Sequence, residues 1–172
     1  RQVQTLADLP LPASQHCCWQ ALQQLDINYD GKQYRLTGAL AQTRSGVTLV
    51  LLDPLGRRLL SINKQGDVLD IFRSPELPDS WPGRFLLASS MLVWWPLADW
   101  QTLASPWQIT AEGDSRRLDY RGKPLLSARY LPLSPAIRDG LSSASLNQPV
   151  LLRHHRQPLQ ITVTTSSLTV LP

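Results

Sequence analysis

Cysteine is nearly absent from this chain of 172 residues: there are two, and they are neighbours, Cys17 and Cys18. A lone adjacent pair excludes a disulfide framework and has none of the spacing of a zinc motif. Neighbouring Cα atoms across a trans peptide lie about 3.8 Å apart, short of the roughly 4.4–6.8 Å of ordinary disulfides. A Cys17–Cys18 bridge is therefore not expected. Charge is also sparse, at 17% of residues, which with 42% hydrophobic residues reads as globular rather than disordered. The net charge of +4 comes from 17 basic and 13 acidic residues. The basic ones are scattered as Arg57-Arg58, Arg116-Arg117 and Arg153 to Arg156, which is not the clustered footprint of a nucleic-acid binder. Long apolar runs are missing too. The greasiest stretch, Phe85 to Trp95, has eleven residues, about half of what a spanning helix needs.

Catalytic signatures are equally scarce. The sequence holds no G-x-S-x-G, H-E-x-x-H, G-x-x-x-x-G-K or G-x-G-x-x-G. His154-His155 is the one tempting pair, but neighbours on a strand point to opposite faces and cannot share a metal. Asp26, Asp30, Asp53, Asp67 and Asp70 read as solvated carboxylates at turns and strand ends. No catalytic residue, metal or cofactor is predicted, and a binding or transport protein is favoured over an enzyme.

What the chain does have is alternation. In LDINYD, Leu25, Ile27 and Tyr29 alternate with polar residues, and Asp30-Gly31 then makes a turn. Tyr34, Leu36, Gly38 and Leu40 continue on one face as the second strand of a hairpin. VTLVLLD is apolar at every position before Asp53 except Thr48 and predicts a central strand covered on both sides. DPLG turns the chain, and RRLLSIN and VLDIF follow as strands. After the proline-bearing residues 74–83, the pattern predicts a helix over 83–95 that Pro96 ends, then a short helical piece up to Ser105. Residues 107–133 read as three strands. Residues 134–148 form a looser stretch with one helical turn and are the candidate mobile loop. VLLRHHR and LQITVTTSSLTVLP close the chain as strands. About ten short strands with one helical insertion predict a mainly β sandwich or barrel. Residues 1–17, with Pro10 and Pro12, read as a tether ahead of a domain over 18–172.

The helix is the anomaly. A surface helix carries one apolar stripe. Here Phe85, Ala88, Leu92 and Trp95 make one stripe, and Leu86, Leu87, Met91, Val93 and Trp94 fill most of the remainder. Such a helix must be covered nearly all round. The natural place for it is the concave face of the curved sheet, with one side on the sheet and the other on a cavity, a ligand or a second layer. A helix that simply plugs the core is the competing expectation.

VTLVLLDPLGRRLLSI, residues 47–62, resembles the strand–N/D-P-L-G–strand hairpin of LolB, the outer-membrane lipoprotein receptor. FLLASSMLVWWPLADWQ and VLLRHHRQPLQITVTT are similar to bacterial lipoproteins of unknown function expected to share the LolA/LolB fold, often encoded beside aryl-polyene or fatty-acid-type synthesis genes. The resemblance covers roughly residues 20–172. It implies a half-open antiparallel β-barrel of about ten to eleven strands, with a central helical lid or plug and a concave apolar face that receives acyl chains. It also implies an outer-membrane lipoprotein facing the periplasm, anchored by a lipidated cysteine ahead of Arg1. Its partners would be a lipid, acyl or polyene cargo, a LolA-like periplasmic carrier and the inner leaflet of the outer membrane. The leucine of the turn, which helps deliver lipoproteins into the membrane in LolB, corresponds to Leu55. Arg57 and Arg58 beside it could meet anionic head groups.

The expected ligand-binding residues are then Leu36, Leu40, Leu49, Leu51, Leu60 and Ile62 on the sheet, with Phe85, Leu92, Trp94 and Trp95 on the lid. The expected function is non-enzymatic carriage of a hydrophobic acyl or aryl-polyene-type cargo. Two other readings stay open: a structural lipoprotein with a filled core, and a lipid-acting hydrolase or transferase using His154 or His155.

Overall fold

Alternation of apolar and polar residues turns into one long sheet. The computed structural model describes residues 10–12, 17–77, 79 and 81–172. Five strands come first: β1 (Trp19–Tyr29), β2 (Lys32–Thr43), β3 (Gly46–Leu52), β4 (Arg58–Gln65) and β5 (Val68–Arg73). After α1 (Gly83–Trp94) and α2 (Leu97–Trp100) come β6 (Trp107–Glu112), β7 (Ser115–Tyr120) and β8 (Lys123–Tyr130). Then follow α3 (Ala136–Asp139), a single 3₁₀ turn at Ser143–Ser145, β9 (Val150–His154) and β10 (Leu159–Val170). The strand order is β5-β4-β3-β2-β1-β10-β9-β8-β7-β6, and every pair is antiparallel. The edges β5 and β6 do not pair. The sheet is therefore a half-open antiparallel barrel of ten strands, as expected.

Two meanders of five strands each meet at one seam, where β1 pairs with β10 from Trp19↔Val170 to Tyr29↔Leu159. The register fixes two ends. The tip end carries the turns after β1, β3 and β9. The opposite end is where β1 begins and β10 finishes. At the tip, Asp30 and Gly31 both have positive φ, 51° and 82°, the signature of a two-residue turn whose twist matches its strands.

The concave face holds the core. On β1 to β4 it takes Leu25, Ile27, Leu36, Leu40, Leu49, Leu51, Leu60 and Ile62, all buried. Against expectation, β3 is not covered on both sides: Val47, Leu49 and Leu51 are buried, while Thr48, Val50 and Leu52 keep partial exposure on the convex face. Its apolar outer residues face solvent, where single apolar side chains are tolerated.

α1 ends one residue earlier than expected, because Trp95 turns extended (φ −74°, ψ 149°) ahead of Pro96. The second helical piece stops at Trp100 rather than near Ser105. Residues 134–148 are packed, with Ser134, Ala136, Ile137 and Ser145 buried, not the loose loop expected. Cys17 and Cys18 stand just ahead of β1, Cys17 exposed and Cys18 partly buried. Of the tether, residues 1–9 and 13–16 lie outside the described residues. Leu11 is partly buried against the core.

Candidate functional site

α1 lies in the lumen of the half-barrel. It touches β4 from one meander, β9 from the other, and α3. Eleven of its twelve residues are buried, all but Arg84. Ser89 and Ser90 bury their hydroxyls by donating back to the carbonyls of Phe85 and Leu86, at 2.8 and 3.1 Å, whereas the buried Trp94 Nε1–H has no acceptor. At the tip end, Trp81 stacks edge-on against Tyr29 and Tyr34 with ring centroids 5.5 and 4.9 Å away. At the opposite end, Trp95 meets Trp19 at 5.5 Å and Trp94 meets Tyr130 at 6.4 Å.

The C-terminal carbonyls of α1 would be a buried liability without partners. Each is met. Met91 O accepts from the Trp95 backbone N–H and from Trp100 Nε1, at 2.9 and 3.0 Å. Leu92 O and Trp95 O accept from Arg116 Nη1 at 2.7 and 2.6 Å. The Tyr130 hydroxyl donates to Val93 O, and the Leu141 N–H donates to Trp94 O at 2.8 Å. Arg116 also donates from Nε to Ile137 O at 2.8 Å and from Nη2 to Ala136 O at 2.7 Å. It is 0% exposed and spends its donors on four backbone carbonyls. Burial lowers its pKa below the usual guanidinium range, and the negative end of the helix dipole favours its charge. Gly140 permits the closeness of α3. Its φ is 84°, and a Cβ there would come 2.5 Å from Trp94 O. Arg116 was not singled out from the sequence, although a signal existed: it shares strand parity with Leu118 and Tyr120, placing an arginine on the apolar face of β7.

All ten expected ligand residues sit in this interior. Leu36, Leu40, Leu49, Leu51, Leu60, Ile62, Phe85, Leu92, Trp94 and Trp95 are each at most 4% exposed. Five depressions of about 270–680 Å³ lie elsewhere, and none is lined by any of the ten. Phe85, Leu92, Trp94 and Trp95 thus lie inside rather than at a rim.

The other expected site is at the tip end. Asp53 organises it. Its backbone N–H donates to Arg57 O and its carbonyl accepts from Gly56 N–H, both at 2.9 Å. Its carboxylate accepts from Leu55 N–H at 2.9 Å, Arg57 N–H at 2.8 Å and Arg57 Nε at 2.6 Å. Burial works to raise the Asp53 pKa but is outweighed by these bonds, and the net direction is down. Leu55, 80% exposed, stands at the apex. Arg57 is engaged, bonding Asp53 and also Glu76 at 3.1 Å, so it is less free for head groups than expected. Arg58 lies 4.3 Å from the Phe72 ring centroid. Phe72, 46% exposed, is a surface apolar residue at this end that was not singled out.

The two histidines face opposite ways, as expected. His154 is 3% exposed on the concave side, its ring 6.3 Å from that of Phe85. Burial first, then His155 and Arg156, lower its pKa to about 4. His155 lies on the convex side, with Nε2 2.9 Å from Ser127 Oγ. Among the described residues no three His, Cys, Asp or Glu side chains gather as a metal site, and no helix is long and apolar enough to cross a membrane.

A family model described as "Protein of unknown function (DUF3261)" matches residues 20–167. The chain belongs to the DUF3261 family. No curated protein matches it. This DUF3261 chain is similar to the crystal structure of the LolA superfamily protein NE2245 from Nitrosomonas europaea. The match covers 90% of this chain and 86% of that one, at 9% identity and a TM-score of 0.46.

Proposed function

We propose that this DUF3261 protein binds a hydrophobic acyl or polyene chain beside α1 in the lumen and passes it to a membrane at the Leu55 end. In this reading it is an outer-membrane lipoprotein facing the periplasm, loaded by a LolA-like carrier or from the inner membrane. The observation that carries the reading is α1 itself: apolar on every face, lodged in an unclosed barrel, and bounded on both sides by proline-bearing segments.

Magnitudes constrain the mechanism. Burying a methylene gains about 0.8 kcal/mol, so a sixteen-carbon chain gains roughly 12 kcal/mol. The eight large apolar side chains from Phe85 to Trp95 are worth about 1.5–3 kcal/mol each when buried, roughly 12–24 kcal/mol together. One acyl chain does not offset expelling the helix into water. Cargo therefore enters only if α1 shifts aside and stays covered, by the cargo or by the sheet. The resemblance at Leu55 supports the exit step, because an apolar apex on a braced turn meets a bilayer without having to order first.

The full burial of the ten lining residues favours a second reading, a structural lipoprotein with a filled core. Titration with cis-parinaric acid, a fluorescent conjugated fatty acid, separates the two. Carriage predicts saturable one-to-one uptake with energy transfer from the lumen tryptophans. Absence of saturable uptake by the folded chain leaves the filled core.

A further inference from the structure

A depression of about 680 Å³ opens at the tip end around the turn between β9 and β10. Arg153, His154, His155, Arg156, Gln157 and Asn28 contribute to its lining, together with Gly31 and residues 158–160. No carboxylate lines it. Asp30 lies next door and donates its backbone N–H to Pro158 O at 2.9 Å. Among the described residues neither Arg153 nor Arg156 forms an ion pair.

The register points to the same place. Asn28 pairs with Gln160, and Gln160 with Arg153, and all three are exposed, so they form one row on the outer face of the sheet. The His154 ring faces the other way, against Phe85.

We infer that this depression is a binding site for a phosphate group. Two guanidinium groups supply the charge and forked donors that phosphate oxygens match best. Asn28 and Gln157 add neutral amides. A lipid phosphate and free phosphate share this chemistry. The inference does not depend on carriage of an acyl chain in the lumen.

The test is a ¹H–¹⁵N NMR titration of the full chain with inorganic phosphate, with dihexanoyl phosphatidic acid below its micelle concentration, and with dihexanoyl phosphatidylcholine. Saturable shifts are expected at the Asn28 side-chain amide and the Arg153 and Arg156 side-chain N–H groups. The R153Q/R156Q double variant should weaken binding at least tenfold at unchanged Tm, and should leave parinaric acid uptake intact. Tighter binding of phosphatidic acid than of inorganic phosphate identifies a lipid head as the source, and equal affinities identify free phosphate. The inference is overturned if neither probe gives saturable shifts, if phosphatidylcholine responds equally, or if the double variant keeps full affinity.

Discussion

At the scale of single residues, Arg116 and His154 are two buried basic groups with opposite solutions. Arg116 keeps its charge and gives it to the carbonyls of Leu92, Trp95, Ala136 and Ile137. Arg116→Met should cost at least about 3 kcal/mol, since several buried acceptors lose their partner at about 1–3 kcal/mol each. Arg116→Lys should recover only part of that, because an ammonium cannot span four acceptors set for a planar fork. Urea denaturation of the two variants checks both. His154 instead gives up its charge. It titrates near 4 in the fold and near 6.5 when unfolded. Between those values the unfolded chain takes up a proton that the folded chain refuses. Stability is thus fully present above about pH 6.5 and is lost as pH falls, by on the order of 3 kcal/mol near pH 4. Unfolding free energies at pH 7 and pH 4 should show a drop that is smaller by about that amount in His154→Leu.

At the scale of elements, the Asp53–Gly56 turn and α1 show what a sequence displays and what it hides. The turn was legible because its chemistry is local: a proline, a glycine and an aspartate within four positions. Asp53 braces the apex, and Leu55 makes no contribution to the core. Leu55→Glu should leave Tm unchanged and reduce binding to vesicles of phosphatidylglycerol and phosphatidylethanolamine in a flotation assay. Unchanged flotation would remove Leu55 from any membrane role. The strands were legible for a similar reason, since period-two alternation needs only near neighbours. α1 could be placed from its all-round apolarity. What covers it could not, because Arg116, Tyr130 and Leu141 reach it from 24 to 47 residues away in sequence. The packed state of residues 134–148 was hidden likewise. Its serines and glycine read as loose until Gly140 is seen against Trp94 O. The phosphate depression was invisible because it is assembled from the β1–β2 turn and the β9–β10 turn, which are distant in the chain.

At the scale of the whole molecule, the sheet is two local meanders held by one long-range seam. β1 to β5 can form from neighbours alone, and so can β6 to β10, because each strand pairs with the next. Among the described residues, the pairing of β1 with β10 and the contacts of α1 with β4 and β9 tie the two together. The exposed apolar edge strand β5, with Val68 at 70% and Phe72 at 46% exposure, belongs to the first meander and stays a pairing hazard whether or not the second is present.

That seam also sets a clock. The strand at its far side is made last, while the greasiest helix is made midway. From the moment Trp95 is synthesised until Leu159–Val170 pairs with Trp19–Tyr29, α1 has cover on one flank only. A nascent or translocating chain therefore displays an apolar helix for the time it takes to add some seventy-five more residues, roughly 4–15 s at ordinary elongation rates. During that interval a holdase, or the sheet's own first half, must keep it from aggregating.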